Sequence, residues 1–355
     1  DLRMSRGLGD VYKRQIFTLK AMHTPVNYIT TWFYKESKEE ASFYPQLGQK
    51  GSSSLVHSIY MQIQVPFFVT FKHYNPDAQF IFFTNLNQKE LPDYLIRLFH
   101  KLNVEVVTLP YTCKPPKDWY PAWQNQFYLY DILKYMDGRM QENDTLLISD
   151  ADCLCRTPLN TLFNAVRKDG SALYEFITDR VYSINGITLP QMEEIYQSCY
   201  GKEATSSITY YGGEFVALRK DIISKINIAY PQLWAFNLEY GKQHPFKLNE
   251  EAHILSLLAE HLNIRNKTAN RYVKRMWTTP HFNNVQPGDE NYPVWHLPYE
   301  KKRGLYYLYR LIGEKSEITN EADFWEKAGK YTGIPHISLK KKVKDRLTTL
   351  WMKFK

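Results

Sequence analysis

The chain has 355 residues, 44% of them hydrophobic and 15% aromatic. That is enough apolar surface for one large globular domain and too much for a disordered chain. Its net charge of +8 sits at the ends: Lys340, Lys341, Lys342, Lys344, Arg346, Lys353 and Lys355 face only Asp345 in the last stretch, and a small basic excess lies in the first fifteen residues. Residues 16–336 are neutral, which argues against a nucleic-acid partner, since such a protein carries a basic face on its body.

Residues 26–34 are β-branched and aromatic and predict a first strand. A Gly- and Ser-rich loop follows, then a helix over 55–71 that Pro66 should kink or divide. Residues 79–84 (Gln-Phe-Ile-Phe-Phe-Thr) predict a buried strand, 91–101 a helix, 104–109 a strand and 126–136 a helix. Residues 145–149 predict a short apolar strand that ends at Asp150. This alternation implies a mostly parallel α/β sheet flanked by helices, with ligands bound beyond the carboxyl ends of its strands. Thr30, Thr31 and Asp150 stand at those ends. Farther on, 172–177 and 214–218 predict strands, 250–261 a helix, and 287–298 an irregular loop.

The four cysteines form no CxxC pair, as suits a reducing cytoplasm. No uninterrupted apolar stretch of about 18 residues predicts a membrane span. Residues 1–15 have the look of a non-native leader without a signal-peptide core. The expected organisation is therefore a leader (1–15), one catalytic domain (16–336) and a basic tail (337–355).

The segment Asp144-Thr-Leu-Leu-Ile-Ser-Asp150-Ala-Asp152 puts two carboxylates one residue apart, just past a buried strand. Hard oxygen donors so placed suit Mn²⁺ or Mg²⁺ with substrate phosphates completing the shell. A cation there stabilises the charge that grows on a departing diphosphate. Elsewhere Gly212 and Gly213 would let backbone approach a ligand, with Glu214 next to them to accept from acceptor hydroxyls. Glu250 and Glu251 read either as first-turn helix acids or as carboxylates at a reacting centre.

Helix, apolar strand, Asp150-Ala-Asp152 and then Thr157-Pro-Leu-Asn-Thr-Leu-Phe163 resembles the GT-A glycosyltransferases, especially the glycogenin-like and lipopolysaccharide-transferase group called family 8. The resemblance implies that Asp150 contacts the donor ribose and the metal, and that Asp152 binds the metal directly. Tyr210-Tyr-Gly-Gly-Glu-Phe215 and Asn249-Glu-Glu-Ala-His-Ile-Leu255 resemble stretches of the blood-group-type transferases of family 6. By that likeness Glu251, with Glu250 as runner-up, faces the anomeric carbon. His296 and Lys302 have the spacing of the family 8 ending, which makes His296 a third metal ligand and Lys302 a diphosphate contact. That ending's middle glycine is replaced here by Tyr299, and Arg303-Gly304 replaces its Pro-Trp. Together these imply a GT-A fold and a retaining transfer from a nucleotide-sugar donor, a UDP-sugar, to a glycan or lipid-linked acceptor in polysaccharide construction. The rival reading is a non-catalytic module of the same fold that binds a glycan or nucleotide.

The tail predicts an amphipathic helix capped by Ser338, with Leu339, Val343, Leu347, Leu350, Trp351 and Phe354 on one stripe and Lys341 among the solvated basic residues outside it. A basic helix of this kind suits an anionic membrane surface. The expected location is cytoplasmic, peripheral on the inner face of the membrane.

Overall fold

The computed structural model describes residues 23–40, 42–177, 179–279 and 282–353, the side chains of 177 and 349–353 excepted. The leader 1–15 lies outside the described residues, as do residues 354–355. In chain order come β1 (Asn27–Phe33), the hairpin β2 (Phe43–Tyr44) and β3 (Gln49–Lys50), α1 (Ser54–Tyr74), β4 (Gln79–Thr84), α2 (Asp93–Leu102), β5 (Val104–Thr108) and α3 (Tyr128–Arg139). Then follow β6 (Thr145–Ser149), β7 (Cys153–Cys155), α4 (Asn160–Asp169), β8 (Ser171–Ile177), α5 (Leu189–Tyr200), β9 (Tyr210–Arg219) and α6 (Lys220–Gln243). The last elements are α7 (Glu251–His261), β10 (Val273–Arg275), β11 (Val294–His296), α8 (Gly304–Ile312), α9 (Glu321–Thr332) and α10 (Leu339–Lys353).

The central sheet runs β5-β4-β1-β6-β9-β8. β5, β4, β1 and β6 are parallel, whereas β9 lies antiparallel to both β6 and β8. Helices cover both faces, as the α/β reading expects. β4 shows why its sequence is apolar throughout: Phe80 and Phe82 pack into one layer with Phe68 and Phe99, and Ile81 and Phe83 into the other with Ile132 and Leu146. A strand buried on both faces has no polar side to alternate with.

Two expectations need correcting. Of the two outcomes expected at Pro66, division does not occur: α1 runs on through it, Ser53 caps it, and Thr70 Oγ1 donates to the Pro66 carbonyl (2.8 Å). The segment 287–298 is not wholly irregular either: β11 lies within it, parallel to β10 and antiparallel to β7 in a second, three-stranded sheet.

The tail is helical from Leu339, and Ser338 Oγ accepts from Lys341 N (3.2 Å). Its orientation differs from the helical-wheel expectation. Lys341 is buried, not solvated: its ammonium meets Glu300 Oε2 (3.0 Å) and Asp345 Oδ2 (2.7 Å). Glu300 is itself fully buried, and a buried carboxylate demands a counter-charge, so the helix docks by its polar edge. The Lys344 ammonium stacks over Tyr307, 3.2 Å from the ring centroid. Leu339, Val343 and Leu347 are left 79%, 59% and 61% exposed.

Candidate active site

β6 is the last parallel strand of the sheet, and its chain leaves the sheet after Ser149. Asp150, Ala151 and Asp152 form the turn into β7, with Asp150 N bonded to the Glu214 carbonyl (3.0 Å) and Cys153 N to the Asp150 carbonyl (3.1 Å). β7 then pairs with β11 in a register that sets Cys153 opposite His296, and Leu297 N closes on the Asp152 carbonyl (3.0 Å). A three-residue strand pairing thus brings His296 to the two aspartates. Its Nε2 lies 3.5 Å from Asp152 Oδ1 and 3.6 Å from Asp150 Oδ2.

One ligand atom from each of Asp150, Asp152 and His296 falls within 4.8 Å of the others. Asp152 Oδ1 is buried without a hydrogen-bond partner, which leaves a lone pair aimed at this point. Two carboxylate oxygens and one imidazole nitrogen suit Mn²⁺ or Mg²⁺ with open positions for phosphate oxygens. The residues present therefore fit such a cation.

The electrostatics of the cluster are those of a site short of positive charge. Burial and the neighbouring Asp152 push the Asp150 carboxyl up to about 6. Burial alone would raise Asp152 too, but Lys301 and His296 outweigh it and hold that carboxyl below its ordinary range. Burial opposes protonation of His296, yet the Asp152 and Glu214 carboxylates prevail and raise it to about 9.

Behind the histidine stands Glu214, 3.6 Å from Nδ1 and held by Arg275 Nε (2.6 Å). Burial is outweighed by Arg275 and His296, which bring the Glu214 carboxyl down to about 2. Glu214 is 3% exposed and faces the histidine and Arg275. A carboxylate behind a ligating imidazole fixes its ring orientation. Neither the Glu214–Arg275 pair nor its relation to His296 carries a sequence signal, because the three residues come from three separate strands.

Across the cavity lies the start of α7. Glu250 is fixed by Tyr210 OH and Asn185 Nδ2, with His253 Nε2 at 3.4 Å. Glu251 is 7% exposed and lines the cavity, and its Oε2 has no partner. Burial, then Glu250, then Asp150 push the Glu251 carboxyl well above the usual range. The two glycines of Tyr210-Tyr-Gly-Gly-Glu serve these acids sterically. A Cβ on Gly212 would collide with the Glu214 carboxylate, and one on Gly213 with that of Glu251. The β8–β9 register slips between Leu173 and Tyr174, which lets Gly213, Glu214 and Phe215 bulge at the site.

The cavity, of about 360 Å³, joins these groups. Thr31, Asp150, Asp152, Gly213, Glu250, Glu251 and His296 line it, together with Lys301, Gln46, Arg275 and the aromatic Trp123, Tyr182 and Trp277. Thr30 points into the sheet, its hydroxyl bonded to the Leu147 carbonyl (3.2 Å). Lys302 lies outside the lining and donates to the Leu47 carbonyl (3.2 Å). Lys301 enters instead, a residue that the spacing argument passed over by one position.

No family model matches this chain, and no curated protein matches it. Among solved structures it is similar to mouse xyloside xylosyltransferase 1 in its apo form, with 9% identity, a TM-score of 0.45, and 77% of this chain and 98% of that chain covered. It is similar also to the galactosyltransferase LgtC in complex with donor and acceptor sugar analogues (13% identity, TM-score 0.42, 89% and 99% covered). A third likeness is to the apo form of the glycosyltransferase GlyE in Streptococcus pneumoniae TIGR4 (10% identity, TM-score 0.42, 86% and 63% covered). These likenesses concern overall arrangement.

Proposed function

We propose that this chain is a metal-dependent glycosyltransferase that moves a sugar, with retention, from a UDP-sugar to a glycan or lipid-linked acceptor. The observation that carries the reading is the convergence of Asp150, Asp152 and His296 at the carboxyl end of a parallel strand, with the Glu251 carboxylate lining the same cavity. Asp150, Asp152 and His296 would hold Mn²⁺ or Mg²⁺, which when bound neutralises the charge of a departing diphosphate. Thr31 lines the donor side and Glu251 would face the anomeric carbon, as nucleophile or as stabiliser of a positive centre. The unpartnered, buried Glu251 favours an enzyme over a binding module, since a binding role gives no reason to keep a carboxyl in that environment. A screen of nucleotide sugars for hydrolysis tests this: at least one UDP-sugar should be turned over with Mn²⁺ and not after chelation. Turnover of none, or turnover that survives chelation, would defeat the proposal.

The partners proposed include an anionic membrane surface met by α10, at the cytoplasmic face. Among the described residues no helix is long and apolar enough to cross a membrane. What supports a peripheral contact is the stripe Leu339, Val343 and Leu347, exposed on the outer side of a docked helix and flanked by Lys340, Lys342 and Arg346. Such a face gains apolar burial in the interface and about 1 kcal/mol per basic residue from anionic lipid. Because Lys341 neutralises the buried Glu300, deleting the helix would unbalance the domain, and point changes make the cleaner test. Leu339→Ser, Val343→Ser and Leu347→Ser combined should end co-sedimentation with anionic liposomes and leave turnover of a soluble acceptor within about twofold. The parent's binding should weaken with salt. Equal sedimentation of the two proteins would remove the membrane from the proposal.

A further inference from the structure

β11 presents a different concavity on each of its faces. Successive side chains of a strand point to opposite sides of the sheet. His296 lines the cavity that holds the aspartates, whereas Trp295, one residue earlier, lines a second groove on the other face of the sheet β10-β11-β7. That groove has a volume of about 950 Å³, at the upper end of the range of roughly 300–1,000 Å³ that ligand pockets span. α9 contributes Glu321, Ala322 and Trp325 to its wall, and Ile334 and Pro335 of the link into α10 line it too.

Arg156, the residue after β7, lines the groove with its guanidinium against two indoles, 5.7 Å from the Trp295 ring centroid and 5.6 Å from that of Trp325. Trp325 is itself fixed, its Nε1 donating to Tyr74 OH (2.7 Å). Stacking on aromatic rings orients a guanidinium and leaves its in-plane N–H groups for an acceptor. Among the described residues no acceptor meets them, and Nη1 is buried without a partner. The acids of the lining are only half used. Glu321 accepts from Tyr74 OH, Glu326 from Lys330, and Glu290 from Gly288 N (2.8 Å), each through one oxygen. Asn291 adds an exposed amide that can both donate and accept.

The charge of the lining decides the class of ligand. Two cations, Arg156 and Lys330, face the three acids Glu290, Glu321 and Glu326, so an anion gains little here. Trp295 and Trp325 are only 2% and 8% exposed, so the groove has a shallow apolar wall and no deep pocket for an aliphatic peptide side chain. What such a lining can satisfy is a neutral ligand that donates to carboxylates and accepts from a guanidinium, and hydroxyl groups do both. We propose that this groove is a second binding site, for an uncharged oligosaccharide, on the face of β11 opposite the candidate active site. The inference goes beyond the transfer reading and does not depend on it, because binding is measured without turnover. On an enzyme that extends glycans, such a site raises the effective concentration of the chain at the catalytic cavity.

The experiment is calorimetric titration of the full chain, without metal or nucleotide, with uncharged hexasaccharides of glucose, galactose, xylose and N-acetylglucosamine, and with hexagalacturonate for comparison. At least one uncharged chain should bind saturably, and more tightly than the galacturonate. Ala322→Trp, at an exposed position of α9, fills the groove and should abolish that binding. Arg156→Met keeps the stem against the indoles but lacks the donors, and should weaken binding about tenfold or more. A merely structural Arg156, clamping the two tryptophans, would leave the affinity unchanged. Folding is checked by the melting transition, and whichever variant melts like the parent decides. Binding of no uncharged chain by the parent, tighter binding of the galacturonate, or affinity unchanged in a folded variant each overturns the inference. None of these results touches the transfer reading, which the nucleotide-sugar screen tests by itself.

Discussion

Replacing Asp152 with asparagine is expected to abolish Mn²⁺-dependent UDP binding and to reduce transfer at least about a hundredfold. Asp152 is fully buried, contacts Lys301 through Oδ2, and leaves Oδ1 without a partner beside Asp150 and His296. Asparagine preserves the shape and one acceptor and removes the charge that both the cation and Lys301 require. Alanine is the poorer choice, because stripping a buried ion pair of one member costs on the order of 3–5 kcal/mol and confuses binding with folding. Calorimetry of UDP with and without Mn²⁺ reads the effect. A folded Asp152→Asn protein that binds UDP and Mn²⁺ as the parent does would show that the cation, if any, sits elsewhere.

Glu251→Gln should lower kcat by roughly 10²- to 10⁴-fold and leave UDP binding within a few-fold of the parent. The reason is that its charge is needed only as the sugar's bond to phosphate breaks, when a positive centre develops at the anomeric carbon. The same variant should be more stable than the parent at alkaline pH. The folded carboxyl titrates well above its ordinary 4.5, so the charged form is the disfavoured one. Stability from this group is full below the ordinary value and falls as pH rises through the raised one, a loss that glutamine escapes. Melting temperatures of both proteins at about pH 5 and about pH 9 should therefore diverge in favour of the variant at the higher pH. Activity lost and stability gained by one substitution is what a strained functional group gives. NMR of the product's anomeric proton adds a further check: inversion would remove the retaining assignment and recast Glu251 as a base. Unchanged kcat in Glu251→Gln would take the residue out of the chemistry altogether.

Much of the sheet was legible because its signals are local. The apolar runs of β4 and β6 match their strands to the residue, and Asp150-Ala-Asp152 lies directly after a strand that periodicity alone locates. Helices with weaker stripes escaped. α6 runs 24 residues with Pro231 inside it, and a proline in mid-segment reads as a stop until packing on α3 and α7 holds the helix together. α5 carries a capping box at Thr188 and Gln191 that a search for caps would have found.

The class of fold, the pair of aspartates and the periodicity of the tail are local properties, since each depends on neighbours within a turn or a strand. What surrounds the aspartates depends on distant pairings, and of that shell only His296 was marked beforehand, by the family resemblance. His296 reaches them through the pairing of β7 with β11, some 140 residues apart, and short strands between prolines carry no periodic signal. The backbone around Pro298–Glu300 decides that Lys301, not Lys302, turns into the cavity, a one-residue choice that spacing cannot make. Glu214 faces Arg275 and His296 because β9 bulges there. Leu339, Val343 and Leu347 face outward because the buried Glu300 draws Lys341 inward, and the need of a distant buried charge for its partner is written in no local pattern.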